Sequence, residues 1–211
     1  MIAALYVETG GPYFGVEGVD PWDATRDARE YAGPHPVVAH PPCKRWGRYW
    51  GGGPSAKVKR LKGDDKGMFA HALWAVRTFG GVLEHPEASH AWDWYGLEKP
   101  KKHGTWTEPD AFGGRSIYVE QGHYGHRARK GTWLYMVALP GSLHSKVAPC
   151  LTLGPAPNCE RLDDGYHTAE ERAAARERGT HVNRSRLTMK ERLETPERFK
   201  QVLISIAQNC A

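Results

Sequence analysis

Three short apolar runs, IAALYVE (2–8), PVVAH (36–40) and GVLEH (81–85), each stop abruptly at a glycine or proline, and this punctuation constrains the fold most. Runs of four to eight apolar residues bounded by turn formers read as buried strands. Between the second and third, DKGMFAHALWAVRTFG (65–80) carries apolar residues at Met68, Ala72, Trp74, Ala75 and Phe79 and closes at Gly80, which predicts an amphipathic helix. IYVEQGHYG (117–125) and TWLYMVAL (132–139) read as two further strands. A final helix is predicted over 195–210, with Thr195 as N-cap and Pro196 at the first helical position. Strand, helix and strand recurring in this order predict an α/β sheet layered by helices, and a chain of 211 residues fits one such domain.

Elsewhere the pattern is weaker. DATRDAREYA (23–32) is expected to form a short helix capped by Asp23, and TAEERAAARERG (168–179) a helix capped by Thr168. The glycine-rich stretch 13–22 reads as a hairpin or extended loop, 43–63 as a mobile basic loop, and 86–115 as irregular. Residues 140–190 read as an irregular insert with one short helix, a candidate for contacting substrate.

In α/β sheets, sites gather at the C-terminal ends of strands. Glu8, Cys43 and Glu84 each sit beside a Gly/Pro break at a strand end and are expected on one rim. Cys43 follows Pro41 and Pro42, whose fixed φ angles make a stiff turn, and neighbouring His40, Lys44 and Arg45 would favour its nucleophilic thiolate. Glu84, after an apolar strand, could be held protonated and donate to a ring nitrogen, or could pair with an arginine. Arg127 and Arg129 alternate before a strand, suited to phosphate or a base edge.

The four cysteines are scattered without a CxxC pair, so a disulfide framework is not expected, and Cys150, Cys159 and His167 match no regular zinc spacing. No metal site is called. The N-terminus lacks the basic start of a signal peptide and no apolar run reaches about 20 residues, so a cytoplasmic protein without a membrane partner is expected. Net charge is +5, and KRWGRYW (44–50) interleaves cations with aromatic rings, a pairing that suits DNA, duplex or single-stranded, because bases stack while phosphates pair.

Taken in order, AHPPC (39–43), EHP (84–86) and YGH (124–126) leading to Arg127 and Arg129 resemble the DNA (cytosine-5) methyltransferases, most closely short phage-encoded methyltransferase-like proteins. The resemblance spans 36–139 and, more faintly, 188–208. It implies a compact Rossmann-like sheet and a transferase that modifies phage or mobile-element DNA. It implies Cys43 as nucleophile on carbon 6 of cytosine and Glu84 on the ring's nitrogen edge, with His40, Pro42, Arg45, His85, Arg127 and Arg129 contacting substrate. It also implies S-adenosylmethionine as methyl donor, held by Glu8, Gly10, Gly11 and Asp20. The chain departs from that pattern in three ways. No helix fits between Glu8 and Asp20, so the first βα unit is shortened; His85 replaces the family's asparagine; and no sizeable recognition domain is present in the sequence. Two other readings stay open: a pyrimidine-modifying enzyme using another donor, a free nucleotide or an already modified base, and a non-catalytic nucleic-acid-binding relative.

Overall fold

The computed structural model describes residues 1–52, 60–157, 159, 169–179 and 187–211. Its centre is one six-stranded mixed sheet of β1 (Ile2–Leu5), β2 (Val19–Trp22), β3 (Val37–Ala39), β4 (Gly81–Pro86), β5 (Arg115–Glu120) and β6 (Gly131–Val137), in the order β2-β1-β3-β4-β6-β5. Strands β1 to β4 run parallel, and β6 lies antiparallel to both β4 and β5. Helix α1 (Met68–Phe79) and the short α2 (His90–Trp94) pack on one face, with Phe69, Leu73, Val76 and Trp92 against Leu5, Leu83 and Tyr135. The remaining helices are α3 (Leu143–Lys146), α4 (Ala169–Glu177), α5 (Met189–Leu193) and α6 (Glu197–Gln208). The last of these covers the opposite face, with Phe199, Leu203 and Ile206 against Ile2, Val38, Val82 and Leu134. The alternation of these core residues along each strand is the period-2 pleat at work. The result is an α/β, Rossmann-like architecture, as the sequence predicts.

Several local expectations are corrected. β1 ends at Leu5 because Tyr6 turns into the left-handed region (φ 61), so Glu8 lies beyond the strand. The stretch before Asp23 contains a parallel strand, β2, where a hairpin or loop was expected. Residues 6–18 join β1 to β2 without a helix, about as short as a parallel crossover can be. Asp23 starts no helix; its carboxylate accepts from the Thr25 and Arg26 backbone N–H groups in a turn, and only Ala28–Glu30 form a 3-10 turn.

The buried stripe of α1 is Phe69, Ala72, Leu73, Ala75 and Val76, whereas Trp74 faces outward; Gly80 (φ 74) ends the helix as expected. Residues 86–115 include α2, capped by the Ser89 hydroxyl on the Ala91 N–H. Pro196, rather than Thr195, is the cap of α6. The Thr168 cap lies outside the described residues, as does His167.

The first part of the expected mobile loop is anchored. Trp46, 1% exposed, packs against Phe69, Trp94 and Tyr95 and donates its indole N–H to the buried Asp65 at 2.7 Å. An aromatic ring inside a basic run has turned that run into a docked segment.

Candidate active site

The parallel half of the sheet reverses direction of winding between β1 and β3, the place where ligands enter doubly wound folds. Just past β3, the His40 backbone N–H donates to Leu5 O at 3.0 Å, which fixes where the next side chains point. His40 Nδ1 lies 3.1 Å from Glu84 Oε2, and His40 Nε2 lies 2.8 Å from the Tyr13 hydroxyl. From the other side, the Gln121 amide donates to Glu84 Oε1 at 3.1 Å and to Thr132 Oγ1 at 2.9 Å. Gln121 is fully buried, and its own Oε1 has no partner among the described residues. Turning the amide around would set that oxygen against the carboxylate, so the orientation is fixed by charge.

Glu84 is only 13% exposed. Burial raises its pKa, but the hydrogen bond from His40, together with the charge of Lys130, outweighs this and holds the carboxyl below its ordinary range. It is therefore a carboxylate at rest, not the protonated donor considered from sequence. A carboxylate only accepts, so His40 Nδ1 carries the proton. Burial, with the charges of Glu84 and Glu197, drives the Tyr13 pKa well up, so its O–H stays intact and donates to His40 Nε2.

Cys43 opens a 3-10 turn, Cys43–Arg45, directly after Pro42 and is partly exposed. Its thiol is pushed up by burial and then by Glu84, against weaker help from its own backbone N–H and Lys130. The expected activation by His40, Lys44 and Arg45 is not found: both His40 nitrogens are engaged, Lys44 is exposed, and Arg45 has a buried Nη1 with no partner among the described residues. The cation that acts on both Cys43 and Glu84 is Lys130. Burial pulls the Lys130 pKa down, while Glu84, Cys43 and Glu194 pull it up. Its amine donates to Leu193 O and Glu194 O at 3.3 and 2.5 Å, and its backbone sits at φ 41, a strained value for a side-chain-bearing residue.

The other expected contacts divide. Pro42 is exposed beside Cys43. Arg127 lies in the turn before β6, where Nη1 meets Glu191 Oε1 at 2.8 Å, and Arg129 is exposed on the same turn. His85 lies away from this cluster. Adjacent strand residues face opposite sides, and His85 enters the α1 face between Phe69 and Trp92, fully buried, with Nδ1 2.7 Å from Ser89 Oγ. Burial lowers its pKa to about 4 despite Glu84, Asp65 and the Pro41 backbone, so the ring is neutral.

The residues expected to hold S-adenosylmethionine do not assemble a cradle. Asp20 pairs with Ala3 within the sheet, and its carboxylate takes Arg26 Nη1 at 2.6 Å and the Trp22 indole at 2.8 Å. Asp23, at the end of β2, is held by the Thr9 hydroxyl at 2.6 Å. Gly11 closes its turn on Glu8, whose carbonyl would lie 2.8 Å from an added Cβ, so that glycine serves the turn itself. Glu8 and Gly10 are exposed. Tyr13 occupies the ground between this loop and His40, 4% exposed.

Tyr13, Gln121, Thr132 and Lys130 are thus site residues beyond those singled out from sequence. Lys130 was visible as the last cation of HRARK (126–130). A glutamine directly after a strand and a tyrosine in a glycine-rich loop carried no such signal. All four cysteines are free thiols, and the described residues contain no cluster of three or more side chains suited to a metal. No described helix is long and apolar enough to cross a membrane.

Searches of family models, curated proteins and solved structures find nothing that matches this chain. The fold class is Rossmann-like α/β; the site has to be read from its own chemistry.

Proposed function

We propose that this chain is a DNA-modifying enzyme that acts on a pyrimidine, cytosine at carbon 5, through Cys43 as covalent nucleophile. The observation that carries the reading is the coupling of three groups: a partly exposed thiol that feels both a largely buried carboxylate and a half-exposed ammonium. Such a thiol is inert until its proton has somewhere to go. Glu84, ionised at rest, is an acceptor for that proton and can pass it to ring nitrogen 3 of the base as sulfur bonds to carbon 6. The S–H bond breaks, the C–S bond forms, and the proton ends on the ring. Carbon 5 then becomes electron-rich and takes an electrophile. Lys130 stabilises the thiolate while it exists. The exposed Lys44, Arg48 and Tyr49 beside Cys43 suit a polymer whose target base has been turned out of the stack.

The reading predicts a covalent adduct between the protein and an oligonucleotide carrying 5-fluorocytosine, detected by mass spectrometry and lost in Cys43→Ser. It also predicts exchange of the carbon-5 hydrogen with deuterium from solvent, which needs no donor. Equal adduct yield in Cys43→Ser would sink it.

The engaged carboxylates of Asp20 and Asp23 favour a second form, in which the electrophile comes from a donor other than S-adenosylmethionine. Methyl transfer from labelled S-adenosylmethionine to DNA separates the two forms: transfer supports the methyltransferase, and deuterium exchange without transfer supports the other donor.

A further inference from the structure

The helix-less connection 6–18 contributes one side chain to the site, and that contribution deepens the reading of Glu84 as the residue that meets the base. We infer that Tyr13 is a positioning residue: its hydroxyl anchors the far nitrogen of the His40 ring, keeps the Nδ1–H that the carboxylate selects pointed at Glu84, and so aims the carboxylate at the substrate.

The geometry forms a continuous line. Tyr13 Oη lies 2.8 Å from His40 Nε2, and His40 Nδ1 lies 3.1 Å from Glu84 Oε2. The Tyr13 and His40 rings also touch, with centroids 5.4 Å apart. The loop that carries Tyr13 is pinned from behind: Lys200 of α6, itself 4% exposed, donates to Pro12 O at 2.8 Å, and Phe14 N–H donates to Gly11 O at 3.0 Å. His40 is pinned by its backbone bond to β1. A tyrosine buried for packing alone needs any acceptor for its hydroxyl. Here the acceptor is the one ring nitrogen whose opposite number grips the candidate catalytic carboxylate, the arrangement by which a third group orients a histidine.

The groups facing Glu84 come from every neighbouring element: His40 after β3, Gln121 after β5, Lys130 before β6, and Cys43 from the turn. Of these, Gln121 grips Oε1 and His40 grips Oε2, so the carboxylate is clamped from two sides. Without Tyr13 the His40 ring is held through Nδ1 alone, with its far nitrogen unanchored, and can turn away from the carboxylate. The clamp then opens on one side, and the carboxylate loses the bond that opposes its burial.

Nitrogen-15 NMR of the full chain with labelled histidine tests this directly and needs no catalytic activity. The expected result is a His40 proton on Nδ1 in the wild type, shifted downfield by its bond to Glu84, and loss of that downfield shift in Tyr13→Phe. A wild-type proton on Nε2, or an unchanged Nδ1 proton shift in Tyr13→Phe, overturns the inference. As a second readout, Tyr13→Phe should slow adduct formation with the 5-fluorocytosine oligonucleotide by about tenfold to hundredfold, the usual effect of removing an orienting partner. The acid limb of its pH profile should move to higher pH, since Glu84 would protonate more easily. His40→Asn in the Tyr13→Phe background supplies a donor to Glu84 with no ring to anchor and should recover part of the rate. Failure of the nucleophile reading shows separately, as adduct surviving Cys43→Ser, and leaves the NMR result to be judged by itself.

Discussion

The two halves of the sheet treat their polar groups differently. Around β3, β4 and β6, the chain spends buried hydrogen bonds on one carboxylate that it then leaves 13% exposed, next to a thiol and an ammonium. Around β1 and β2, the acidic side chains are neutralised locally: Asp20 by Arg26 and Trp22, Asp23 by Thr9 and two backbone N–H groups. Buried polar groups whose needs are met within their own loop stabilise that loop. A largely buried charge clamped from two sides, with an oriented face left towards solvent, is the arrangement expected of a working site. In the proposed function the chemistry falls at the β3–β4–β6 half, and the β1–β2 half has a supporting task carried out through Tyr13.

Breaking the first half should have the largest effect. Glu84→Gln keeps the size of the side chain but cannot receive the thiol proton. Adduct formation with the 5-fluorocytosine oligonucleotide should fall on the order of a hundredfold to a thousandfold, the range typical of removing one transition-state electrostatic partner. A rate within threefold of wild type would show that the proton leaves Cys43 by another route.

A smaller effect concerns stability on the hidden face of the same strand. His85 is neutral in the fold, with its pKa depressed to about 4 from 6.5. Between those values the unfolded chain binds the extra proton, so stability is full above about pH 6.5 and declines as the pH falls towards 4. A shift of this size corresponds to about 3 kcal/mol. Glu84 acts in a lower window: its depressed pKa adds stability above the ordinary glutamate value of 4.5, lost as the pH falls through its folded value. Urea titrations across pH 7 to 4 should show the first decline in the wild type and a flatter curve in His85→Gln.

The smallest effect belongs to the second half. Asp20→Asn removes a solvent-exposed ion pair with Arg26, and such pairs contribute about 0–1 kcal/mol. Adduct formation should be unchanged. A strong loss of activity in this variant, with the fold intact by circular dichroism, would return Asp20 to the site and erase the distinction between the halves.

How much of this was legible beforehand follows from sequence distance. Cys43 was marked by Pro41 and Pro42, and Glu84 by the apolar strand that carries it, so both could be read from their own neighbourhoods. Their protonation could not. The sequence set His40, Lys44 and Arg45 beside the cysteine, yet the cation that counts is Lys130, brought in by β6 pairing with β4. His85 stood next to Glu84 in the chain and was grouped with it; the pleat sends the two to opposite faces.

By itself, the sequence determined the α/β order, the strand positions marked by glycine and proline, and the absence of a helix after β1, because each depends on contacts within a few residues. Only the tertiary structure decided which groups share a site. Tyr13 and His40 are 27 residues apart, Gln121 and Glu84 are 37, and His40 and Glu84 are 44. Local propensity carries no record of such pairings. They exist because β1, β3, β4 and β6 are neighbours in one sheet, and burial there gives a hydrogen bond between distant residues control over where a proton sits.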